Sequence, residues 1–282
     1  MLARHGDAAR AIAGGQSLIP AMAVRMATPE VLVDIAGISA LRGIDLVEDG
    51  GARRVRIGAL VRHAEIERSG LIAAEVPLLA AAAGHVAHKA IRNRGTFGGS
   101  LANADPASEF PACALALEAA IHVEGPDGSH IISAGDFFLG PYETALRSGE
   151  ILTEVEIDAT SPNQRAGFAE LARRRGDYAL AGLALMGAVA REQRDGECPA
   201  FAAIRPVFFS VGGTPVLAAG AARVLTDPAI ADAGRLARAQ DALDTDLDPP
   251  SDPQASAALR RHFARTLLAR VIRQILEPHD AA

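Results

Sequence analysis

The sequence predicts an α+β protein built in two parts, and three observations predict it. Its 282 residues exceed the usual size of one domain. The first half mixes short strand-like and helix-like segments. After the polar stretch TSPNQR (Thr160 to Arg165), the rhythm changes to three apolar runs followed by helices. That stretch, punctuated by Pro and Asn, marks the expected boundary, with domains over residues 1–160 and 165–278.

In the first part, EVLVDI (Glu30 to Ile35) is short and rich in β-branched residues, and RRVRIGAL (Arg53 to Leu60) alternates Val55, Ile57 and Ala59 with other residues. Both read as strands. PLLAAAAGHVAHKAI (Pro77 to Ile91) opens with Pro in a tolerated first-turn position and continues in strong helix formers, predicting one helix that leads into a glycine loop. PASEFPACALALEA predicts a helix from about Pro106, followed by the hairpin AIHVEG, PDGS, HIIS. Beyond the boundary, GFAELA, ALAGLALMGAVA and AFAAIRPVFFSVGG predict a small antiparallel sheet. Two helices are expected to finish the chain. On the last, about Pro253 to Leu276, Leu259, Phe263, Leu267, Val271 and Ile275 draw an apolar stripe that serves either core packing or a subunit interface.

Composition limits the function classes. With 49% hydrophobic and 22% charged residues the chain is globular, and with only 4% aromatics and no Trp its core must be aliphatic. A net charge of -6 argues against a broad nucleic-acid surface. The uncharged run Tyr178 to Ala190 is shorter than the roughly 20 residues a membrane span needs. No apolar stretch of signal-peptide length opens the chain, so a cytoplasmic location is expected. Cys113 and Cys198 form no CxxC pair and read as structural thiols. They cannot supply the four ligands of an iron-sulfur cluster.

Two glycine pairs ask for explanation: AIAGGQSLIP (Ala11 to Pro20) and NRGTFGGSLANADPASEFP (Asn93 to Pro111). Glycine admits unusual backbone angles and lets amides approach a ligand closely. A concave run of amides binds anions, and a diphosphate could add bonds from Ser17, Thr96 and Ser100. Neither stretch fits G-x-G-x-x-G or G-x-x-x-x-G-K-[ST]. There is also no H-E-x-x-H, no G-x-S-x-G and no Cys/His cluster of zinc type; His85 and His88 read as surface or supporting groups. The pattern suits a protein that holds a cofactor and leaves the chemistry to it, with no catalytic side chain and no metal ligand of its own.

AGGQSLIPAM, RNRGTFGGSLANADPASEFPA, FFLGPYETAL, RRRGDYALAG and SVGGTPV together resemble the FAD-binding medium subunit of the molybdenum hydroxylases, the carbon monoxide dehydrogenase and xanthine dehydrogenase group. The resemblance runs nearly end to end. It implies an N-terminal FAD-binding domain of the p-cresol methylhydroxylase type and a carbon monoxide dehydrogenase flavoprotein-like C-terminal domain. By motif, Ala13, Gly14, Gly15, Gln16 and Ser17 would contact the FAD diphosphate, with Leu18 and Ile19 beside them. Thr96, Phe97, Gly98, Gly99 and Ser100 would form a second cradle, with Asn103, Asp105 and Glu109 near the cofactor. Glu109 reads equally as an acid of a first helical turn. Asp177 and Tyr178 would lie near the flavin ring, although Tyr178 reads nearly as well as a strand-edge aromatic.

The resemblance further implies non-covalent FAD, since Gln16 offers no nucleophile. It implies an iron-sulfur small subunit with two [2Fe-2S] clusters and a molybdopterin-binding large subunit holding the molybdenum cofactor, in a dimer of heterotrimers. Electrons would pass from the clusters through the flavin to a terminal acceptor. A self-sufficient flavoprotein oxidase or reductase and an FAD-free scaffold are the alternatives. The family pattern usually begins with about two dozen further residues, a strand and a helix, so an exposed sheet edge and a weakened first lobe are expected here.

Overall fold

The computed structural model describes residues 1–189 and 198–276. Ala190, which ends the second apolar run, and residues 277–278 of the expected second domain lie outside these. The chain divides into two compact units, Met1–Asp105 with Glu118–Ala159, and Pro106–Leu117 with the chain from Thr160 on.

The first unit opens with the one-turn helix α1 (Leu2–His5), then β1 (Ala9–Ile12), α2 (Leu18–Ala23) and β2 (Val31–Asp34). β1 and β2 pair in parallel, with α2 in the crossover between them. β3 (Ile44–Asp49) and β4 (Ala52–Gly58) follow as a hairpin, then α3 (His63–Arg68), α4 (Gly70–Glu75), α5 (Pro77–Ala83), α6 (Lys89–Arg92) and α7 (Phe97–Asn103). The second unit takes α8 (Glu109–Ala116). The chain then returns to the first unit through β5 (Ala120–Gly125), β6 (Gly128–Ser133), α9 (Ala134–Phe137), β7 (Phe138–Gly140), β8 (Glu143–Thr144) and β9 (Ile151–Asp158).

β3, β4, β9, β5 and β6 form one antiparallel sheet in that order. Period-two alternation sends Val55, Ile57, Ile121, Val155 and Ile157 into the core. It leaves Arg54 and Arg56 on the other face, opposite Asp158 and Glu156, at 3.1 and 2.8 Å. Such partly exposed cross-strand pairs contribute roughly 0.2–1 kcal/mol each.

The single helix expected over Pro77 to Ile91 is two helices. α5 stops at Gly84, and Ala87 takes a left-handed φ of 43°, which ends the helical course before α6. The buried Arg92 guanidinium caps the break, donating to the carbonyls of Val86 and Ala87 at 2.9 and 3.0 Å while pairing with Glu67. Those carbonyls thus gain a partner that a continuous helix would have supplied internally.

In the second unit, β10 (Gln164–Ala172), β11 (Ala179–Val189), β12 (Phe201–Phe209) and β13 (Val216–Leu217) form the antiparallel sheet the sequence predicts. Among the described residues three helices follow it rather than two: α10 (Ala219–Thr226), α11 (Asp232–Asp246) and α12 (Ala257–Leu276). Thr226 and Asp227, with the turn after them, separate the first two. The stripe on α12 is core packing for Leu267, Val271 and Ile275, joined by Ala264, Leu268 and Ile272, whereas Leu259 is exposed. Gly167 lets α12 close on β10, because a Cβ there would stand 2.4 Å from Val271 Cγ1. Both cysteines are free and buried. Among the described residues, no helix is long and apolar enough to cross a membrane.

Candidate functional site

Between the end of β1 at Ile12 and the start of α2 at Leu18 runs the first glycine turn. Gly15 has φ 71°, a conformation that L side chains rarely adopt. Gln16 folds back to donate from Nε2 to the Gly14 carbonyl at 3.1 Å. The carbonyls of Gly15 and Ser17 accept from Ile19 and Ala21 and so open α2. The amides of Gly14, Gly15, Gln16 and Ser17 donate to no acceptor among the described residues. Ser17 is exposed and its hydroxyl does not cap α2. Four successive amides are thereby left for a ligand or for water.

The second glycine pair is not in a loop, as the sequence suggests, but in the first turn of α7. Thr96 is its N-cap, accepting from the Gly99 amide at 3.2 Å through Oγ1. Segment 96–98 is pinned to segment 59–62: Phe97 and Gly98 donate to the carbonyls of Val61 and Ala59 at 2.8 and 2.9 Å. A Cβ on Gly98 would stand 2.6 Å from that of Ala59, so this glycine permits the close packing of α7 on that residue. His63, buried at 6% exposure, donates its backbone amide to Gly95 O at 3.0 Å, and its Nε2 stands 2.9 Å from Thr96 O. Burial pushes the His63 pKa down to about 4, against the pull of the Thr96 carbonyl, with Arg92 lowering it further. His63 is a neutral brace under the second turn.

The two turns meet. A Cβ on Gly14 would lie 2.2 Å from the Arg94 carbonyl oxygen and 2.9 Å from Gly95 Cα, and one on Gly99 would lie 3.9 Å from Ala13 Cβ. Beside this junction is a cavity of about 260 Å³ lined by Ala13, Gly14, Leu60 and Thr96, together with Arg42, Arg62 and Arg94 and with Ala36, which lies just past the end of β2. Arg42 donates to the Ala36 carbonyl at 2.8 Å, and Arg62 to that of Asn93.

Of the other residues the sequence singles out, Leu18 and Ile19 begin α2, Ile19 being 48% exposed. Phe97 is wholly buried under α7, and Ser100 and Asn103 are half-buried on it. Asp105 follows Ala104, whose φ of 47° ends the helix. Glu109, Asp177 and Tyr178 belong to the second unit. Glu109 is buried in the first turn of α8, while Asp177 and Tyr178 lie on the exposed link from β10 to β11, with Tyr178 72% exposed. Sequence reasoning missed Arg42, Arg62 and Arg94. Arg94 had a signal in its place two residues before Thr96, the cap of the second glycine turn; Arg42 and Arg62 are brought in only by tertiary folding.

A family model for the FAD-binding domain of molybdopterin dehydrogenases matches residues 1–159, and one for the carbon monoxide dehydrogenase flavoprotein C-terminal domain matches residues 166–275. The chain is 46% identical over 175 residues to the nicotine 6-hydroxylase medium subunit of Paenarthrobacter nicotinovorans, a match spanning 62% of this chain and 60% of that relative. It is 36% identical over 272 residues to the carbon monoxide dehydrogenase medium chain of Afipia carboxidovorans, spanning 96% of this chain and 90% of the relative. The fold superposes on carbon monoxide dehydrogenase of Hydrogenophaga pseudoflava with a TM-score of 0.88 at 34% identity, over 97% of this chain and 91% of that one. Quinoline 2-oxidoreductase of Pseudomonas putida gives a TM-score of 0.85 at 36% identity, over 96% and 90%.

Proposed function

The chain belongs to the family built on the FAD-binding domain of molybdopterin dehydrogenases, and from that premise we propose that it is the FAD-carrying electron-transfer subunit of a cytoplasmic molybdenum hydroxylase complex. Its partners in this reading are an iron-sulfur small subunit, which delivers electrons from [2Fe-2S] clusters, and a molybdopterin-binding large subunit, which oxidises the substrate. FAD, held without a covalent bond, supplies the exchange of electrons with a terminal acceptor.

The observation that supports this reading is the meeting of the two glycine turns, with Gly14 against the Arg94–Gly95 peptide. The uncommitted amides of Gly14, Gly15, Gln16 and Ser17 fit a diphosphate, which offers several anionic acceptors in a small volume. Gly14 brings the first turn onto the second. Thr96 orders the second turn by capping α7, and His63 braces it from beneath. No side chain in this arrangement is assigned proton transfer: the chain's part is to bind, orient and hold the cofactor.

The test is purification alone and with the two partner subunits. The proposal expects about one FAD per chain, released by acid or denaturant, and bleaching of the flavin by substrate only when both partners are present. Bleaching of the isolated chain by a substrate would point to a self-sufficient oxidase or reductase. A colourless chain in an active complex would make it a scaffold.

A further inference from the structure

The cavity at the turn junction is electrostatically one-sided. Arg42, Arg62 and Arg94 line it, and among the described residues no carboxylate does. Elsewhere in the same unit Arg53, Arg54, Arg56 and Arg92 each form an ion pair with Glu or Asp. Arg42 and Arg62 each donate to a backbone carbonyl, which fixes their position, and neither guanidinium forms an ion pair among the described residues. Arg94 is exposed and its guanidinium has no hydrogen bond or ion pair among the described residues. Three guanidinium groups lining one cavity with no described carboxylate among them repel one another, and an anion relieves that repulsion. At about 260 Å³ the cavity is smaller than the roughly 300–1,000 Å³ that takes a drug-sized ligand, so it suits a charged portion of a larger molecule.

We infer that Arg94, supported by Arg42, is the specificity-determining residue of this site, selecting a diphosphate-bearing flavin over a flavin without phosphate. The inference rests on the flavin reading above but adds to it: the amides of the first turn hold the anion by shape, and the guanidinium groups set how strongly its charge counts. Arg94 suits this task because its own peptide is the one Gly14 packs against, so the turn contact places it. Its planar fork can offer two parallel donors to phosphate oxygens.

The experiment uses the full chain stripped of flavin and titrated with FAD and with riboflavin at two salt concentrations, monitored by quenching of flavin fluorescence. Native chain is compared with Arg94→Ala, Arg94→Gln, Arg94→Lys, Arg42→Ala and Gly14→Val. Loss of a charge-assisted bond predicts FAD affinity lower by about tenfold or more in both Arg94→Ala and Arg94→Gln. Riboflavin affinity should not change, the salt dependence of FAD binding should shrink, and Arg94→Lys should recover part of the loss. Arg42→Ala should show a smaller effect of the same sign. Because Arg94 is exposed, its variants should melt within a few degrees of the native chain, and Arg94→Gln keeps the side chain's length if Arg94→Ala does not fold. Unchanged FAD affinity and salt dependence in the Arg94 variants, alongside loss of FAD in Gly14→Val, would overturn the inference and leave the flavin reading standing. A native chain that binds FAD no better than riboflavin would overturn both.

Discussion

The two glycine pairs are the same dipeptide doing different physical work. At Gly14–Gly15 one glycine is required by a backbone contact and the other by a left-handed φ, and the turn they make leaves its amides uncommitted. At Gly98–Gly99 both have ordinary negative φ, and the need is space: Gly98 against Ala59, Gly99 over the Thr96 hydroxyl. The first pair leaves a run of uncommitted amides, whereas the second holds a short helix closely against Ala59. A Gly-Gly in a sequence therefore reports that Cβ is unwelcome without saying whether the reason lies in conformation, contact or ligand.

Substitutions can break this contrast. The largest effect is expected from Gly14→Val, whose Cβ would fall 2.2 Å from a carbonyl oxygen held in the backbone, where no side chain can yield. Flavin content should drop to near zero in the purified chain, with a lower melting temperature. Gly98→Ala should act mainly on stability: overpacking against Ala59 costs about 1–3 kcal/mol, measurable as a shift in the urea midpoint.

Acid gives a similar magnitude through His63. Its folded pKa of about 4 lies below the ordinary 6.5, so the unfolded chain binds this proton first as pH falls. The neutral brace's contribution is complete above pH 6.5 and is lost as pH falls towards 4, a change of about 3 kcal/mol for this buried group. Unfolding followed between pH 7 and 4 should show that loss in the native chain and a shallower one in His63→Gln. The smallest effect belongs to Thr96→Ala, where loss of the cap should lower stability by about 1 kcal/mol and Thr96→Ser should restore it.

Much of this was legible in the residues. The antiparallel sheet of the second unit followed from three apolar runs, and the stripe on α12 from residues four apart. Its exact face was not, because Leu259 lies beyond the sheet's cover while Ala264 and Ile272 lie under it. The break before α6 left one sign, Gly84 at the end of α5, but the left-handed turn at Ala87 and the Arg92 guanidinium that reaches back to cap it come from folding. The strand β9 alternates Val155 and Ile157 with Glu154, Glu156 and Asp158, a period-two pattern readable in the residues themselves. The glycine turns could be found in sequence, but their meeting could not, since some 80 residues separate them and only the folded backbone brings Gly14 to Arg94. The arginines of the cavity are invisible for the same reason.

The central claim is that the first glycine turn, set by its contact with the Arg94–Gly95 peptide, grips one diphosphate, and the most direct measurement is the ratio of FAD to riboflavin affinity in native chain and in Gly14→Ala. A native ratio of about a hundred or more that collapses towards one in the variant, with riboflavin affinity unmoved, is the predicted result. A ratio that survives the substitution in a folded chain would contradict it.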